Sequence, residues 1–247
     1  MKKISIVIPA YNEQDRIGAT LQAYCTFFDE RKSNGFIADY ECLVVLNGCK
    51  DATAQAVTRE QERFSSIRMI DLVEAGKGLA VREGFKDALT RDSHLIGFVD
   101  ADMATEPQHF YALIERLKFA DQMAGVFASR YMSNARIFPT RPAIKRWGSK
   151  LVYESLVTVL TGMRYKDYQC GAKLFRRETI TCIVPHLTVN QWACDVEILY
   201  VCKRKKLLLH EVPTVWYDRV GSKLKLSNGF KMLGAVIKIW RMHRKLI

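Results

Sequence analysis

The feature that most constrains the fold is the run Leu95-Ile96-Gly97-Phe98-Val99, which stops abruptly at Asp100-Ala101-Asp102. An uninterrupted apolar run of this length suits a strand covered on both faces of a parallel sheet, because a half-exposed strand would alternate instead. The run therefore predicts a strand of an open α/β sheet with two acids at its carboxyl edge, where such sheets bind ligands. Alternation along the exit segment points Asp100 and Asp102 the same way. Two hard oxygen donors beside water suit Mg²⁺ or Mn²⁺ carrying a diphosphate.

The chain before this run alternates strand and helix. Ile4 to Pro9 reads as a buried strand that Pro9 ends, and Asn12 reads as the N-cap of a helix to about Glu30 with Ile17, Leu21, Tyr24 and Phe28 on one face. Glu41 to Leu46 is the next strand, followed by a helix from Ala52 to Arg63 and a strand from Ile67 to Leu72. Gly76-Lys77-Gly78 then opens a helix to about Leu89. Right-handed crossovers between parallel strands gather the loops after Pro9, Asn47 and Asp100 along one edge. At that edge Tyr11 can wall a base, Asn47 offers a donor and an acceptor to base or ribose, and Lys77 can reach a phosphate between glycines that admit close approach. The Gly-Lys-Gly lacks Walker A spacing, which argues against that type of ATPase.

With 247 residues, 49% hydrophobic and 26% charged, the chain can bury one large core and a small appendage. No uncharged apolar run reaches the roughly 18 to 20 residues of a spanning helix, and Met1-Lys2-Lys3 leads straight into a strand, so the expected location is the cytosol. The seven cysteines form no Cys-x-x-Cys pair and read as free thiols in a reducing compartment. The five histidines show no ligand spacing. The net charge of +12 is uneven: residues 1–125 hold 15 Lys and Arg against 19 Asp and Glu, and residues 126–247 hold 23 against 7. The second half thus faces something anionic.

The strings "SIVIPAYNE", "NGCKDAT", "GKGLAVREGF" and "VDADMATEP" resemble, in order, the motifs of the family 2 inverting glycosyltransferases with the GT-A fold. The resemblance implies a Rossmann-like, mostly parallel sheet flanked by helices, a nucleotide-sugar donor, and Mg²⁺ or Mn²⁺ at the Asp-x-Asp. It implies that Pro9, Tyr11, Glu13, Asn47 and Lys77 line the nucleotide, that Asp100 sits by the ribose and diphosphate, and that Asp102 ligates the metal with Asp100. One position departs: the second motif usually carries aspartates where this chain has Leu46-Asn47, and Asn47 cannot be an anionic acceptor. Further on, "KDYQCGAKLF" (166–175), "QWACDVEILY" (191–200) and "VWYDRVGSKLKL" (215–226) resemble segments of the dolichyl-phosphate β-glucosyltransferases and, more distantly, the dolichyl-phosphate mannose synthases. Ala104 stands where the mannose branch carries glutamine.

Residues 1–226 then form one catalytic domain, with a nucleotide-sugar half (1–125) and an acceptor half (126–226). The implied reaction moves glucose from a UDP-sugar, with a GDP-sugar second, onto a polyprenyl or dolichyl phosphate. A lipid phosphate is already an anion at neutral pH, so the larger need is for cations. Arg130, with Lys145 or Arg146, can hold the acceptor phosphate. Asp167 and Asp195 can orient sugar hydroxyls or act as base on a hydroxyl acceptor; each can equally cap a helix or pair with an arginine. Gln169 and Lys173 are candidate sugar or acceptor contacts. A helix is expected from about Lys145 to Leu160. Residues 227–247 read as a basic amphipathic helix capped by Asn228, with Phe230, Leu233, Val236, Ile237 and Trp240 near one face, suited to an anionic membrane surface, to a homodimer or to core packing. The expected location is thus the cytoplasmic face of a membrane. Transfer to a glycan or other hydroxyl acceptor, and a sugar nucleotidyltransferase, remain alternatives, while nucleic-acid binding fails to explain the ordered acids.

Overall fold

The computed structural model describes residues 2–139, 153–218 and 228–246, with side chains from residue 233 onward in the last segment. Lys145 and Arg146, the start of the helix expected from Lys145, the 221–224 Gly-Ser-Lys-Leu string and the Phe230 side chain lie outside the described residues.

The expected alternation forms: β1 (Lys3–Ala10), α1 (Ile17–Ser33), β2 (Asp39–Asn47), α2 (Thr53–Gln61), β3 (Ile67–Leu72), α3 (Lys77–Leu89), β4 (Leu95–Val99) and α4 (Pro107–Lys118). β5 (Gly125–Ser129), β6 (Arg136–Phe138), helical residues 153–161 (α5), β7 (Ala172–Arg176), α6 (Arg177–Ile183), α7 (Cys194–Arg204), β8 (Leu209–Pro213), β9 (Val215–Tyr217) and α8 (Asn228–His243) follow. Seven strands form one sheet in the order β3-β2-β1-β4-β7-β5-β8, and β6 pairs with β9 in a small second sheet. Every neighbouring pair in the large sheet is parallel except the two made by β7, which runs antiparallel between β4 and β5.

The antiparallel strand matters for the site. Because Val99 pairs with Ala172, the segment that enters β7 arrives at the same edge where β4 and β5 leave the sheet. Residues 166–171 are thereby delivered to Asp100 and Arg130.

The period of two along the central strands sorts their side chains onto two cores. Ile4, Ile6, Ile8, Cys42, Val44 and Leu46 pack with α1, α2 and α4, while Val7, Leu43, Val45, Phe98, Phe127 and Phe175 pack with α3, α6, α7 and α8. On α1 the buried residues Ile17, Leu21, Tyr24, Cys25 and Phe28 recur at helical spacing. Two local expectations are corrected. Pro9 does not end β1, since Ala10 still pairs with Leu46; pairing to β4 has stopped at Val7, the edge-like setting in which proline is tolerated. Asn12 does not cap α1, which starts at Ile17; it takes a left-handed φ of 52° and its side-chain oxygen accepts the Lys50 N–H at 2.8 Å.

All seven cysteines are free thiols. Among the described residues no helix is long and apolar enough to cross a membrane. α8 packs into the second core through Val236 and Ile239, with His243 also buried, so Ile237, expected on the same face, points outward.

Candidate active site

Asp100 and Asp102 leave β4 at the carboxyl edge as the apolar run predicts. The Asp100 N–H donates to Gly171 O at 3.0 Å, and a side chain on Gly171 would overlap the Asp100 carboxylate, so glycine is required there for close approach. Met103 adopts a left-handed φ of 58°, which turns the chain so that Asp102 Oδ1 accepts the Ala104 N–H at 3.0 Å. The Thr20 hydroxyl donates to Ala101 O at 2.7 Å and the Tyr24 hydroxyl to Thr105 O at 2.8 Å, fastening the acidic loop to α1. Among the described residues no group of three or more His, Cys, Asp or Glu side chains is arranged for a metal. The carboxylates of Asp100 and Asp102 are nevertheless hard oxygen donors of the kind that would hold a divalent ion of the Mg²⁺ or Mn²⁺ type. The electrostatics agree: burial, together with repulsion from Asp102 and Asp195, pushes the Asp100 carboxyl up against the pull of Lys77, which leaves anionic charge for a cation to balance.

Behind the acids runs an alternating chain of charges. Lys77, the first residue of α3, places Nζ 2.8 Å from Asp100 Oδ1 and 3.3 Å from Asp195 Oδ2. Asp195 Oδ1 in turn lies 2.5 Å from Lys173 Nζ, which also donates to Cys170 O at 2.7 Å. Burial works against the Lys77 charge, yet Asp100 and Asp195 together hold its ammonium above the ordinary lysine value. Asp195 is held below the ordinary carboxylate range, the two lysines outweighing its burial. Lys173 is 0% exposed and sits 5.4 Å from the Phe98 ring centroid, so it cannot be the sugar or acceptor contact expected from its place in the sequence; its position under Asp195 is internal.

The glycines around Lys77 do a different task from the one expected. Side chains at Gly76 and Gly78 would collide with the backbone carbonyls of Asn190 and Val189, so these glycines admit the 188–191 loop. Asn47 is likewise internal, being buried with both ends of its amide occupied: Nδ2 donates to Ala10 O at 2.8 Å and Oδ1 accepts the Gly76 N–H at 3.0 Å. It ties the end of β1 to the start of α3, and at 2% exposed it is an internal brace rather than the base or ribose contact expected.

Of the other residues expected at the nucleotide, Pro9 is buried within β1, and Tyr11, 40% exposed, stands on the loop after it. Glu13 pairs with Arg16 through a 2.7 Å bond from Nε, and its backbone N–H donates to Thr53 Oγ1 at 2.7 Å, linking the loop after β1 to α2.

On the acceptor side, Arg130 follows β5 and meets Asp167 in a fork: Nε to Oδ2 at 2.7 Å and Nη2 to Oδ1 at 2.9 Å. The backbone N–H groups of Arg130 and Gln169 also donate to this carboxylate, at 3.0 and 3.1 Å. Burial opposes the charges of this pair, but each partner offsets it, holding Asp167 below the carboxylate range and Arg130 well above the ordinary arginine value. Arg130 also lies over Trp216, 4.9 Å from its ring centroid. Gln169 is half-buried beside the pair. Glu211 on β8 accepts the Lys166 and Asp167 N–H groups at 2.8 and 3.0 Å and so fastens the same loop. Gly171, Glu211 and Trp216 were not among the expected site residues; Gly171 and Trp216 lie inside quoted strings, while Glu211 gives no local signal because the backbone groups it accepts from lie 44 and 45 residues away.

Residues 5–184 match the family model described as Glycosyl transferase family 2. The chain is 32% identical over 247 residues to a dolichyl-phosphate beta-glucosyltransferase of Trichomonas vaginalis, covering 98% of this chain and 74% of that protein. It is 30% identical over 229 residues to the dolichyl-phosphate beta-glucosyltransferase of Homo sapiens, covering 90% and 70%. In fold it is similar to glucosyl-3-phosphoglycerate synthase from Mycobacterium tuberculosis, solved with Mn²⁺, uridine diphosphate and glucosyl-3-phosphoglycerate, with a TM-score of 0.70 at 18% identity over 96% of this chain and 78% of that one. The seven-stranded, mostly parallel sheet is thus the GT-A arrangement. The chain belongs to glycosyl transferase family 2 and is a glycosyltransferase.

Proposed function

We propose that this protein transfers glucose from UDP-glucose, with inversion, onto dolichyl phosphate or a related polyprenyl phosphate. The observation that carries the choice of acceptor is that neither candidate base is free to act as one. Asp167 is locked by Arg130, and Asp195 lies between Lys77 and Lys173; both are held below the ordinary carboxylate range, whereas a general base works best near neutral pH. A phosphate acceptor needs no deprotonation, so it can attack without help from either carboxylate. The names of the relatives support the same acceptor and sugar.

Asp100 and Asp102 would hold the divalent ion, Mg²⁺ or Mn²⁺, which when bound supplies neutralisation of the leaving diphosphate. A structural neighbour solved with Mn²⁺ and UDP-glucose supports Mn²⁺ as a suitable occupant. Lys77 adds a fixed positive charge beside Asp100. Arg130, oriented by Asp167, faces the acceptor phosphate, and Tyr11 walls the nucleotide. Asp167 and Asp195 act as positioning residues.

The outer face of α8 carries exposed Ile237, Lys238, Arg241 and Met242, and Arg244 lies 5.0 Å from the Trp240 ring centroid. A face mixing cations with apolar groups suits the anionic surface of a bilayer, here on its cytoplasmic side, where a polyprenyl phosphate would present its headgroup. The test is incubation with UDP-glucose, dolichyl phosphate and Mn²⁺, followed by assignment of the anomeric configuration. A β-linked glucosyl phosphate lipid supports the reading, and an α-linked product refutes inversion.

A further inference from the structure

Glu197 lies on α7, fully buried, two positions after Asp195, and the transfer reaction needs no acid there. A carboxylate at that depth is costly unless its oxygens are satisfied. It accepts the Thr188 N–H at 3.0 Å, the Thr188 hydroxyl at 2.8 Å, the Val189 N–H at 2.9 Å and His243 Nε2 at 2.9 Å. A carboxylate has no proton to give, so His243 Nε2 carries the hydrogen. Burial alone would push Glu197 up, but His243, Val189 and Thr188 together hold it below the ordinary range.

The loop that Glu197 grips is the one seated on the start of α3. The carbonyls of Val189 and Asn190 occupy the space beside Gly78 and Gly76. The Leu79 N–H donates to Asn190 O at 3.2 Å, and the Gln191 amide donates to Ala75 O at 3.1 Å. The residue enclosed by these contacts is Lys77, whose ammonium must meet Asp100 and Asp195 at once. His243, buried on α8, closes the grip from the far side.

We propose that Glu197 is a positioning residue for the donor site: through residues 188–191 it sets Lys77, and through His243 it makes α8 a working part of that site. The proposal rests on the reading that Lys77 serves the nucleotide-sugar. Misplacing a binding group by about 1 Å costs on the order of a hundredfold in rate, so loosening one of several anchors is expected to cost about a tenth of that, roughly tenfold in kcat/KM. The loss should fall on KM for the donor, with kcat little changed.

The test compares the unaltered chain with His243→Ala, His243→Gln and Glu197→Gln. Donor KM and kcat are measured alongside amide hydrogen exchange at Leu79 and Val189. In H243A, faster exchange at both amides with a raised KM for UDP-glucose is expected, and H243Q, which keeps a side-chain N–H donor, should restore part of both. E197Q should resemble H243A; if it does not fold, the two His243 variants decide. A lower melting temperature in H243A with unchanged KM and unchanged exchange at Leu79 would overturn the proposal, leaving His243 a stability residue. Failure of the unaltered chain to bind UDP-glucose would overturn the donor reading instead, and the Leu79 exchange would still test the coupling by itself.

Discussion

Replacing Asp195 with alanine removes the centre of the charge chain that connects the metal-side acids to the sheet interior. Lys173, 0% exposed, would keep only Cys170 O as a polar partner, among the rings of Phe98 and Phe127. Stripping one partner from a buried pair costs about 3–5 kcal/mol, because it leaves a desolvated charge. For a chain of this size each kcal/mol lowers the melting temperature by about 2–4 °C, so D195A should melt roughly 6–20 °C below the unaltered protein in thermal unfolding followed by circular dichroism. The double variant D195A/K173M should recover at least half of that loss, since methionine fills the niche without the ammonium. Activity should stay low in both, because Lys77 loses its Asp195 contact in each. The pH dependence has a definite sign: the folded Asp195 pKa is depressed, so its contribution is fully present above the unfolded value of about 3.9 and fades as pH falls through the lower folded value. The gap between the unaltered protein and D195A should therefore be flat from pH 7 to about 4 and close only in stronger acid. A melting temperature for D195A within about 2 °C of the unaltered protein, or a double variant less stable than D195A, would show that the Lys173 charge does not depend on Asp195.

Further outcomes follow from the same geometry. Gly171→Ala drives a methyl group into the Asp100 carboxylate, and a calorimetric titration of Mn²⁺ with UDP should show affinity falling on the order of a hundredfold. Asn47→Asp removes the donor to Ala10 O and sets a negative oxygen against that carbonyl, so urea unfolding should show a loss of about 1–3 kcal/mol; unchanged stability with altered nucleotide preference would return Asn47 to the base. Chelation of divalent ions, or Asp102→Ala, should abolish transfer while leaving the melting temperature nearly unchanged, because among the described residues the Asp102 side chain makes a single local hydrogen bond, to the Ala104 N–H. Charge reversal of Lys238, Arg241 and Arg244 should weaken flotation with anionic but not neutral vesicles, by about 1 kcal/mol per reversed residue at low salt; unchanged flotation would remove the membrane role of α8.

The nucleotide half was legible because its signals are local. β1, β2 and β4 are each an apolar run followed by polar loop residues, β3 is a short mixed strand, and the parallel crossovers follow from the helices between them. Asp100, Asp102 and Lys77 could be placed together for that reason. The second half was less legible because its decisive contacts join distant residues. β7 lies antiparallel between β4 and β5, and a five-residue strand carries no mark of direction; without that direction Gly171 cannot be set against Asp100, nor Asp167 against Arg130. Lys173 and Asn47 were misread for a shared reason. Their polar ends suggest a ligand, and only the fold reveals that Asp195, Ala10 and Gly76 already satisfy them. The glycines flanking Lys77 were correctly seen as places of close approach, but what approaches is the chain itself, from residues 189 and 190.

The central claim is that the site serves an acceptor that arrives as an anion, without a protein base. The most direct measurement offers labelled UDP-glucose and Mn²⁺ to equal amounts of a polyprenyl phosphate and its unphosphorylated polyprenol, across pH 7.5 to 9, above the second ionisation of a phosphate monoester at about pH 6. Label is expected on the phosphate alone, at a rate that does not climb with pH. Label on the free alcohol, or a rate that rises through the titration of a single group, would contradict it.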